Sequence, residues 1–192
     1  CELNLAETCV ESLTMKQLLA MSVDSQTVLD EMLEIKMTYG HIPGSDRLRN
    51  LISQQYENQS AQNILITHGA IGANALVYET LVEPGDTVIS VLPTYQQHYS
   101  IPASYGANVK ILPLREENGF LPEIAELESL IDSKTKLIAL NNPNNPTGTV
   151  FAPEYLSELF ALCKKQGTYI LCDEVYRDPS IPSISDLYEK GI

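Results

Sequence analysis

The stretch Asn141-Asn142-Pro143-Asn144-Asn145-Pro146-Thr147-Gly148 is the part of this chain that decides its fold class. It follows the apolar run 137–140, which predicts a buried strand, and it precedes a stretch typical of a helix. A second apolar run, 169–172, ends at Asp173, 28 residues after Asn145. Side chains at the ends of two parallel strands can converge on one crevice of an α/β sheet. The spacing therefore predicts that this amide and this carboxylate face the same crevice.

Strand and helix signals alternate along most of the chain. The predicted strands are 64–67, 87–91, 109–112, 137–140 and 169–172, and the predicted helices between them are 70–82, 95–105, 121–131 and 153–166. Glycine and proline separate these segments, and Gly167 is placed to end the last helix. This order predicts an α/β fold with a mostly parallel sheet and helices on both faces, in three αβα layers.

The first 38 residues have a different character from the rest. Apolar residues at helical spacing predict two helices there, and the turn-rich link 39–45 leads to Ser45, a candidate N-cap of a further helix. We therefore place a domain boundary between residues 38 and 39. Because the chain begins with Cys1 and not with Met, we expect it to be cut at both ends.

Composition excludes several classes of protein. A formal net charge of -13 argues against a nucleic-acid partner, because binding to phosphates needs a basic surface. No apolar run approaches the roughly 18 residues of a membrane span, and no signal peptide is visible. The four cysteines show neither metal-ligand spacing nor clustering with histidine, so we expect no metal site. Cys163 and Cys172 are interpreted as buried free thiols, which favours a cytoplasmic location.

Four short segments follow predicted strands, and each has an ordinary structural reading when taken alone. Residues 67–74 fit a plain strand-to-helix turn or an anion cradle at a helix start. Tyr95 fits core packing or stacking on a flat ring. The Asn-Pro-Thr-Gly element fits a turn, and Asp173 fits a helix cap. His98 and Tyr99 are interpreted as surface or packing residues, with substrate contact as the alternative.

Taken together, these segments resemble the pyridoxal 5'-phosphate (PLP) aminotransferases of class I and II, which have fold type I. The resemblance covers most of the chain, from about residue 3 to about residue 187. It implies that residues 39–192 are the N-terminal portion of the PLP-binding large domain. Residues 1–38 would then belong to the small domain or to an arm.

The resemblance also implies roles for single residues at the cofactor. Ala70 and Ile71 would bind its phosphate through main-chain N–H groups, and Tyr95 would stack on its ring. Asn145 and Tyr176 would bind its ring oxygen, while Asp173 would keep the pyridine nitrogen protonated. We expect Asp173 to lie at a crevice and not in a packed core.

Tyr39, followed by Gly44, resembles a family pattern in which the tyrosine reaches the cofactor phosphate of the neighbouring subunit. The alternative from the residues alone is a buried tyrosine in a linker. If the resemblance holds, each active site is shared between two subunits, and the protein is a homodimer.

The implied activity is transfer of an amino group between an L-amino acid and a 2-oxo acid. A C–S β-lyase on the same fold is one alternative, and a non-catalytic effector-binding module of a regulator is another. The family also needs a lysine that bonds the cofactor, and only Lys190 follows Asp173. Its context lacks the expected serine-rich lead-in, so we do not assign it, and we expect these 192 residues alone to be inactive. By the same resemblance, the segment 4–8, which includes Glu7, stands where many relatives carry a glycine that contacts substrate.

Overall fold

The computed structural model describes residue 3 and residues 9–192. Cys1 and Glu7 lie outside the described residues. The chain divides into two compact units, Cys1–Ile42 and Pro43–Ile192. The boundary that the sequence indicates, between residues 38 and 39, lies close to this division. The assignment of the two parts to a small and a large domain stays a prediction.

The first unit contains two short helices, α1 (Met15–Ala20) and α2 (Ser25–Leu33). Thr14 caps α1 and forms a reciprocal capping box with Gln17, while Asp24 caps α2 by accepting a hydrogen bond from the Thr27 N–H. These caps satisfy N–H groups that have no partner inside a helix. The two helices predicted in this region are confirmed.

The second unit carries the sheet and the remaining helices. Its strands are β1 (Thr87–Leu92), β2 (Asn108–Pro113), β3 (Thr135–Asn141) and β4 (Tyr169–Asp173). Its helices are α3 (Asp46–Ser53), α4 (Gly69–Leu81), α5 (Gln97–Ser104), α6 (Ile124–Leu130), α7 (Pro153–Gln166) and α8 (Ile184–Leu187). No helix in the described part of the chain is long and apolar enough to cross a membrane.

All four strands are parallel, in the order β2-β1-β3-β4. From β1 the chain goes to one side to form β2, and it then returns to the other side to form β3. The order of the strands therefore reverses between β1 and β3. In open α/β sheets, ligands bind outside the carboxyl ends of the strands at such a reversal.

The sheet is covered on both faces. One apolar cluster joins alternate strand residues to α6 and α7, and includes Ile138, Leu140 and Leu159. The other joins the opposite strand residues to α4 and α5, and includes Leu137, Ala139 and Tyr78. The predicted three-layer αβα arrangement is thus confirmed. Cys163 and Cys172 are free and buried, as predicted, and burial raises the pKa of the Cys163 thiol to about 12.

The predicted strand at 64–67 is wrong. This segment forms no ladder with the sheet, and its polar groups have other partners. The Ile66 N–H bonds to the Pro43 carbonyl, and the Ile64 carbonyl accepts a 2.9 Å bond from Arg49 Nε. A short apolar run cannot show whether a neighbouring strand exists, because pairing depends on the tertiary arrangement.

Candidate active site

Asp173 is the last residue of β4, and only 8% of it is exposed. Its Oδ2 accepts a 2.8 Å bond from Asn74 Nδ2, and its Oδ1 accepts a 3.1 Å bond from the Val175 N–H. Burial raises the pKa of this carboxyl, but contacts from His98, Asn74 and Val175 outweigh it, and the pKa lies below its ordinary value. Asp173 is therefore a buried carboxylate held in its ionised form.

The expectation that Asp173 lies outside the packed interior is wrong. Asn74 of α4 and His98 of α5 both cover its carboxylate. The sequence places Asp173 at a strand end, but it does not show how closely two helices pack over that end.

His98 is completely buried and faces the same carboxylate oxygen. Its Nε2 lies 3.5 Å from Asp173 Oδ2, which is long for a hydrogen bond, and this nitrogen has no closer partner among the described residues. Its Nδ1 lies 3.1 Å from the Tyr78 hydroxyl. The distances suit a ring that accepts from Tyr78 at Nδ1 and directs an Nε2–H at Asp173.

The Tyr95 ring meets the His98 ring edge-on, with 6.5 Å between centroids. His98 thus connects the loop after β1 to the end of β4. His98, interpreted from sequence as a surface or packing residue, is packed in the structure, with Nε2 facing the Asp173 carboxylate.

Asn141 bridges the two segments that the sequence singled out. Its Nδ2 donates a 2.7 Å bond to the Asp173 carbonyl, and its Oδ1 accepts a 2.6 Å bond from the Asn145 N–H. Asn144 connects the same loop to the loop after β1, through a 3.2 Å bond to the Pro93 carbonyl. The peptide bonds before Pro93, Pro143 and Pro146 are cis. Asn145 and Asp173 are therefore joined through one buried amide that sequence reasoning did not single out.

The start of α4 has open main-chain donors. His68 occupies the N-cap position without a capping hydrogen bond from its side chain, and Gly69 has a positive φ of 73°. The first N–H groups of a helix have no partner within it, and the helix dipole favours an anion there. Ala70 and Ile71 lie in this first turn. Ile71 and Tyr95 also line one open depression of about 620 Å³.

Two other predicted residues are partly or fully exposed. Tyr176 lies in the loop after β4 and is 38% exposed. Tyr39 is fully exposed in the first unit, so the alternative of a buried tyrosine is wrong. The roles predicted for both tyrosines stay predictions.

Glu174, next to Asp173, has a purely local set of partners. It accepts bonds from the Ser183 hydroxyl and the Ile184 N–H, and it pairs with Arg177 at 2.9 Å. Burial raises the pKa of this carboxyl. These contacts hold the loop after β4 in place, which agrees with its interpretation as a structural residue.

Lys190 lies at the wrong end of the sheet to act at Asp173. Its Nζ donates a 2.7 Å bond to the Gly167 carbonyl and lies 5.0 Å from the centre of the Tyr169 ring. Tyr169 begins β4 and Asp173 ends it, so the two are separated by about 13 Å along the strand. The Lys190 amine therefore lies away from the candidate site.

Comparison with known proteins agrees with this geometry. Residues 25–186 match the family described as aminotransferase class I and II. The chain belongs to this family. An arginine–pyruvate transaminase of Pseudomonas aeruginosa, AruH, is 31% identical over 158 residues, which are 80% of this chain and 40% of that protein. An aspartate aminotransferase of Sulfurisphaera tokodaii is 35% identical over 139 residues, or 69% of this chain and 35% of the relative.

A solved structure supports the same conclusion. A PLP-dependent aminotransferase from Streptococcus suis superposes with a TM-score of 0.89 at 44% identity, over 94% of this chain and 49% of that one. This aminotransferase-family chain therefore spans less than half the length of each of these relatives. Members of the family depend on PLP in general.

The donors and acceptors at the crevice fit PLP. Asp173 Oδ1 accepts one hydrogen bond and keeps acceptor capacity for a pyridine N–H. The first turn of α4 offers main-chain donors that suit a phosphate. The Tyr95 ring, 43% exposed, offers a flat surface in the depression that Ile71 also lines.

Proposed function

We propose that the protein, at its full natural length, is a PLP-dependent aminotransferase that moves an amino group between an L-amino acid and a 2-oxo acid. The observation that carries this proposal is the ionised, buried Asp173 carboxylate at the carboxyl end of β4. A carboxylate there has a clear use in PLP chemistry, and family membership supports the same reaction.

When PLP is bound in such a site, its ring withdraws electrons from the bonds of the substrate Cα. Asp173 would hold a proton on the pyridine nitrogen, because an adjacent carboxylate favours the charged form of that ring. Ala70 and Ile71 would bind the phosphate through their N–H groups, and Tyr95 would stack on the ring. Asn145 and Tyr176 would donate hydrogen bonds to the ring oxygen.

The assembly and the remaining catalytic groups belong to the same proposal. Tyr39, which is exposed, would reach the phosphate in the neighbouring subunit of a homodimer. The lysine that bonds the cofactor would lie outside these 192 residues, since Lys190 occupies the other end of the sheet. The resemblance to the family also implies an arginine that binds the substrate carboxylate, and it too would lie outside them. A cytoplasmic location is proposed from the free, buried thiols of Cys163 and Cys172.

An assay on the full-length protein tests the reaction. With PLP, a panel of L-amino acids and a 2-oxo acid acceptor, we expect formation of a new amino acid and of the 2-oxo acid of the donor. Release of pyruvate and ammonia without any acceptor would instead support a C–S β-lyase. Failure to bind PLP at all would contradict both of these reactions.

A further inference from the structure

Two buried amides, Asn74 and Gln97, form a pair that the reaction described above does not use. Asn74 lies on α4, one turn after Ala70 and Ile71, and is 4% exposed. Gln97 begins α5, two residues after Tyr95, and is 5% exposed. The pair therefore connects the elements that carry the predicted phosphate cradle and the predicted stacking ring.

The hydrogen bonds of the pair run in one unbroken line. Asn74 Nδ2 donates to Asp173 Oδ2 at 2.8 Å and to Gln97 Oε1 at 3.2 Å. Gln97 Nε2 then donates to the Ile71 carbonyl at 2.6 Å. The line starts at the carboxylate and ends at the backbone of the first turn of α4.

Each of these bonds has only one possible direction. An ionised carboxylate and a carbonyl are acceptors only, so the nitrogen of each amide must face them. That leaves Gln97 Oε1 to accept from Asn74. A reversal of either amide would place two acceptors against each other, so the orientation of both side chains is determined.

The pair is more than packing material. Burying an amide is costly unless it is hydrogen-bonded, and apolar side chains fill a core without that cost. On α4 the buried residues are Asn74 and Tyr78, and both direct polar atoms towards the Asp173–His98 contact. The rest of this helix is mostly apolar or small, so its two buried polar groups serve one place.

We infer that Asn74 and Gln97 are positioning residues that hold the Asp173 carboxylate at a set distance from the phosphate-binding turn of α4. This inference rests on the proposed function. A cofactor with a pyridine nitrogen at one end and a phosphate at the other needs both partners at matching positions. The amide pair provides that spacing through side chains, independently of the strand.

Binding of pyridoxamine 5'-phosphate tests the inference, because this compound keeps the ring nitrogen and the phosphate but cannot bond covalently to a lysine. Its affinity would be measured by calorimetry on the full-length protein and its variants. Asn74→Leu removes the donor to Asp173 with little change in volume, and we expect about tenfold weaker binding or more. Gln97→Leu breaks the same line at its other end, and we expect a smaller loss.

The pH dependence separates positioning from a general loss of packing. Without the Asn74 donor, the pKa of Asp173 rises. As the pH is lowered, the affinity of Asn74→Leu for pyridoxamine 5'-phosphate should therefore begin to fall at a higher pH than that of the wild type. Asn74→Asp, which places a second carboxylate beside Asp173, should move this fall further in the same direction. If the two residues act through one line, the double variant binds about as weakly as Asn74→Leu alone.

Gln59→Leu is the matched control. Gln59 Nε2 also donates a 2.6 Å bond to a carbonyl, that of Ser185, and neither residue is part of the site. We expect this variant to bind as the wild type does.

Wild-type affinity and an unchanged pH profile in a folded Asn74→Leu protein would overturn the inference and leave the proposed function intact. If Asn74→Leu does not fold, unchanged affinity in Gln97→Leu overturns it, and loss of the fold in both variants would show that the pair is structural. If the fold-losses in affinity of the two single variants multiply in the double variant, the two residues act independently, which would also contradict the inference. A wild-type protein that does not bind the compound overturns both the inference and the proposed function.

Discussion

The carboxyl ends and the amino ends of the parallel strands both carry buried polar groups, and the two sets differ in their partners. At the amino ends, side chains bond to backbone carbonyls: the Thr168 hydroxyl donates to Thr135 at 3.2 Å, and the Tyr188 hydroxyl donates to Thr168 at 2.8 Å. Lys190 donates to the Gly167 carbonyl there. At the carboxyl ends, Asn74 and His98 instead surround the side chain of Asp173.

The difference separates polar groups that only complete the structure from polar groups that can still bind a ligand. Bonds to backbone carbonyls at the amino ends complete the structure and leave little to offer a ligand. At the carboxyl ends, Asp173 Oδ1 keeps acceptor capacity, and the first turn of α4 keeps open donors. No bond of the Asn145 side chain to another described residue is found either. Parallel strands share a direction, so all their following loops meet at this one end.

Asp173 and Glu174 show the same contrast between neighbours. Both are largely buried carboxyls, but the pKa of Asp173 is lowered and that of Glu174 is raised. Glu174 accepts hydrogen bonds from the loop that follows it, whereas Asp173 Oδ2 accepts one from Asn74 of α4 and faces His98 of α5. Asp173 ends β4 and Glu174 lies in the loop that follows, so the two side chains meet different neighbours.

The largest effect is expected for Asp173→Ala. Loss of the partner of the pyridine nitrogen should lower transamination by the full-length protein by on the order of a hundredfold or more. Because buried donors on Asn74 and His98 lose their acceptor, the free energy of unfolding should also fall by about 1–3 kcal/mol.

Asp132→Ala is the control at the amino ends of the strands. Asp132 accepts a 2.8 Å bond from Lys110, and its pKa is lowered to about 2, chiefly by that bond. We expect normal turnover with a modest loss of stability. Equal loss of turnover in both variants would break the distinction between the two ends.

The next largest effect is expected for Asn141→Ala, with Thr168→Val as its control. Asn141 holds the Asn145 N–H and the Asp173 carbonyl together, so its removal should weaken PLP binding by roughly tenfold and destabilise the fold by about 1–3 kcal/mol. Thr168→Val should reduce stability alone. Calorimetry and thermal unfolding measure the two quantities, and unchanged PLP affinity in Asn141→Ala would contradict the bridging role.

The pH dependence of stability should have opposite signs at the two neighbouring carboxyls. The folded-state pKa of Asp173 lies below the ordinary 3.8. Its contribution to the free energy of unfolding is therefore present above pH 3.8 and is lost as the pH falls through the folded-state pKa. The pKa of Glu174 lies above 4.5, so its contribution is present at lower pH and is lost as the pH rises through the folded pKa. Thermal unfolding of Asp173→Asn and Glu174→Gln at several pH values measures both. Slopes of the same sign would refute the assignment.

The smallest effect is expected for Lys190→Met. The substitution removes a bond to a carbonyl and a cation–π contact with Tyr169, which together stabilise the fold by about 1 kcal/mol or less. PLP binding and turnover should not change. Borohydride reduction of the full-length protein with PLP should label a different lysine, and a label on Lys190 would contradict its placement.

Local patterns were sufficient to predict most of the fold. Four of the five predicted strands and the helices over 70–82 and 153–166 are present, and Gly167 ends α7 as expected. These signals are local, because periodicity and turn residues act over a few positions. The segment 64–67 failed for the same reason, since a strand needs a neighbour that no local pattern reveals.

The sequence by itself determined the α/β class, the strand end that carries Asp173, the loop after β3 that carries Asn145, and the resemblance that the family match confirmed. Only the tertiary structure decided which side chains surround Asp173. Asn74 is 99 residues away from it along the chain, and its contact depends on how α4 packs over the sheet. The same holds for His98, Gln97 and Asn141. The environment of a buried polar group depends on its hydrogen-bond partners, and partners that are distant in sequence come together only when the helices pack on the sheet.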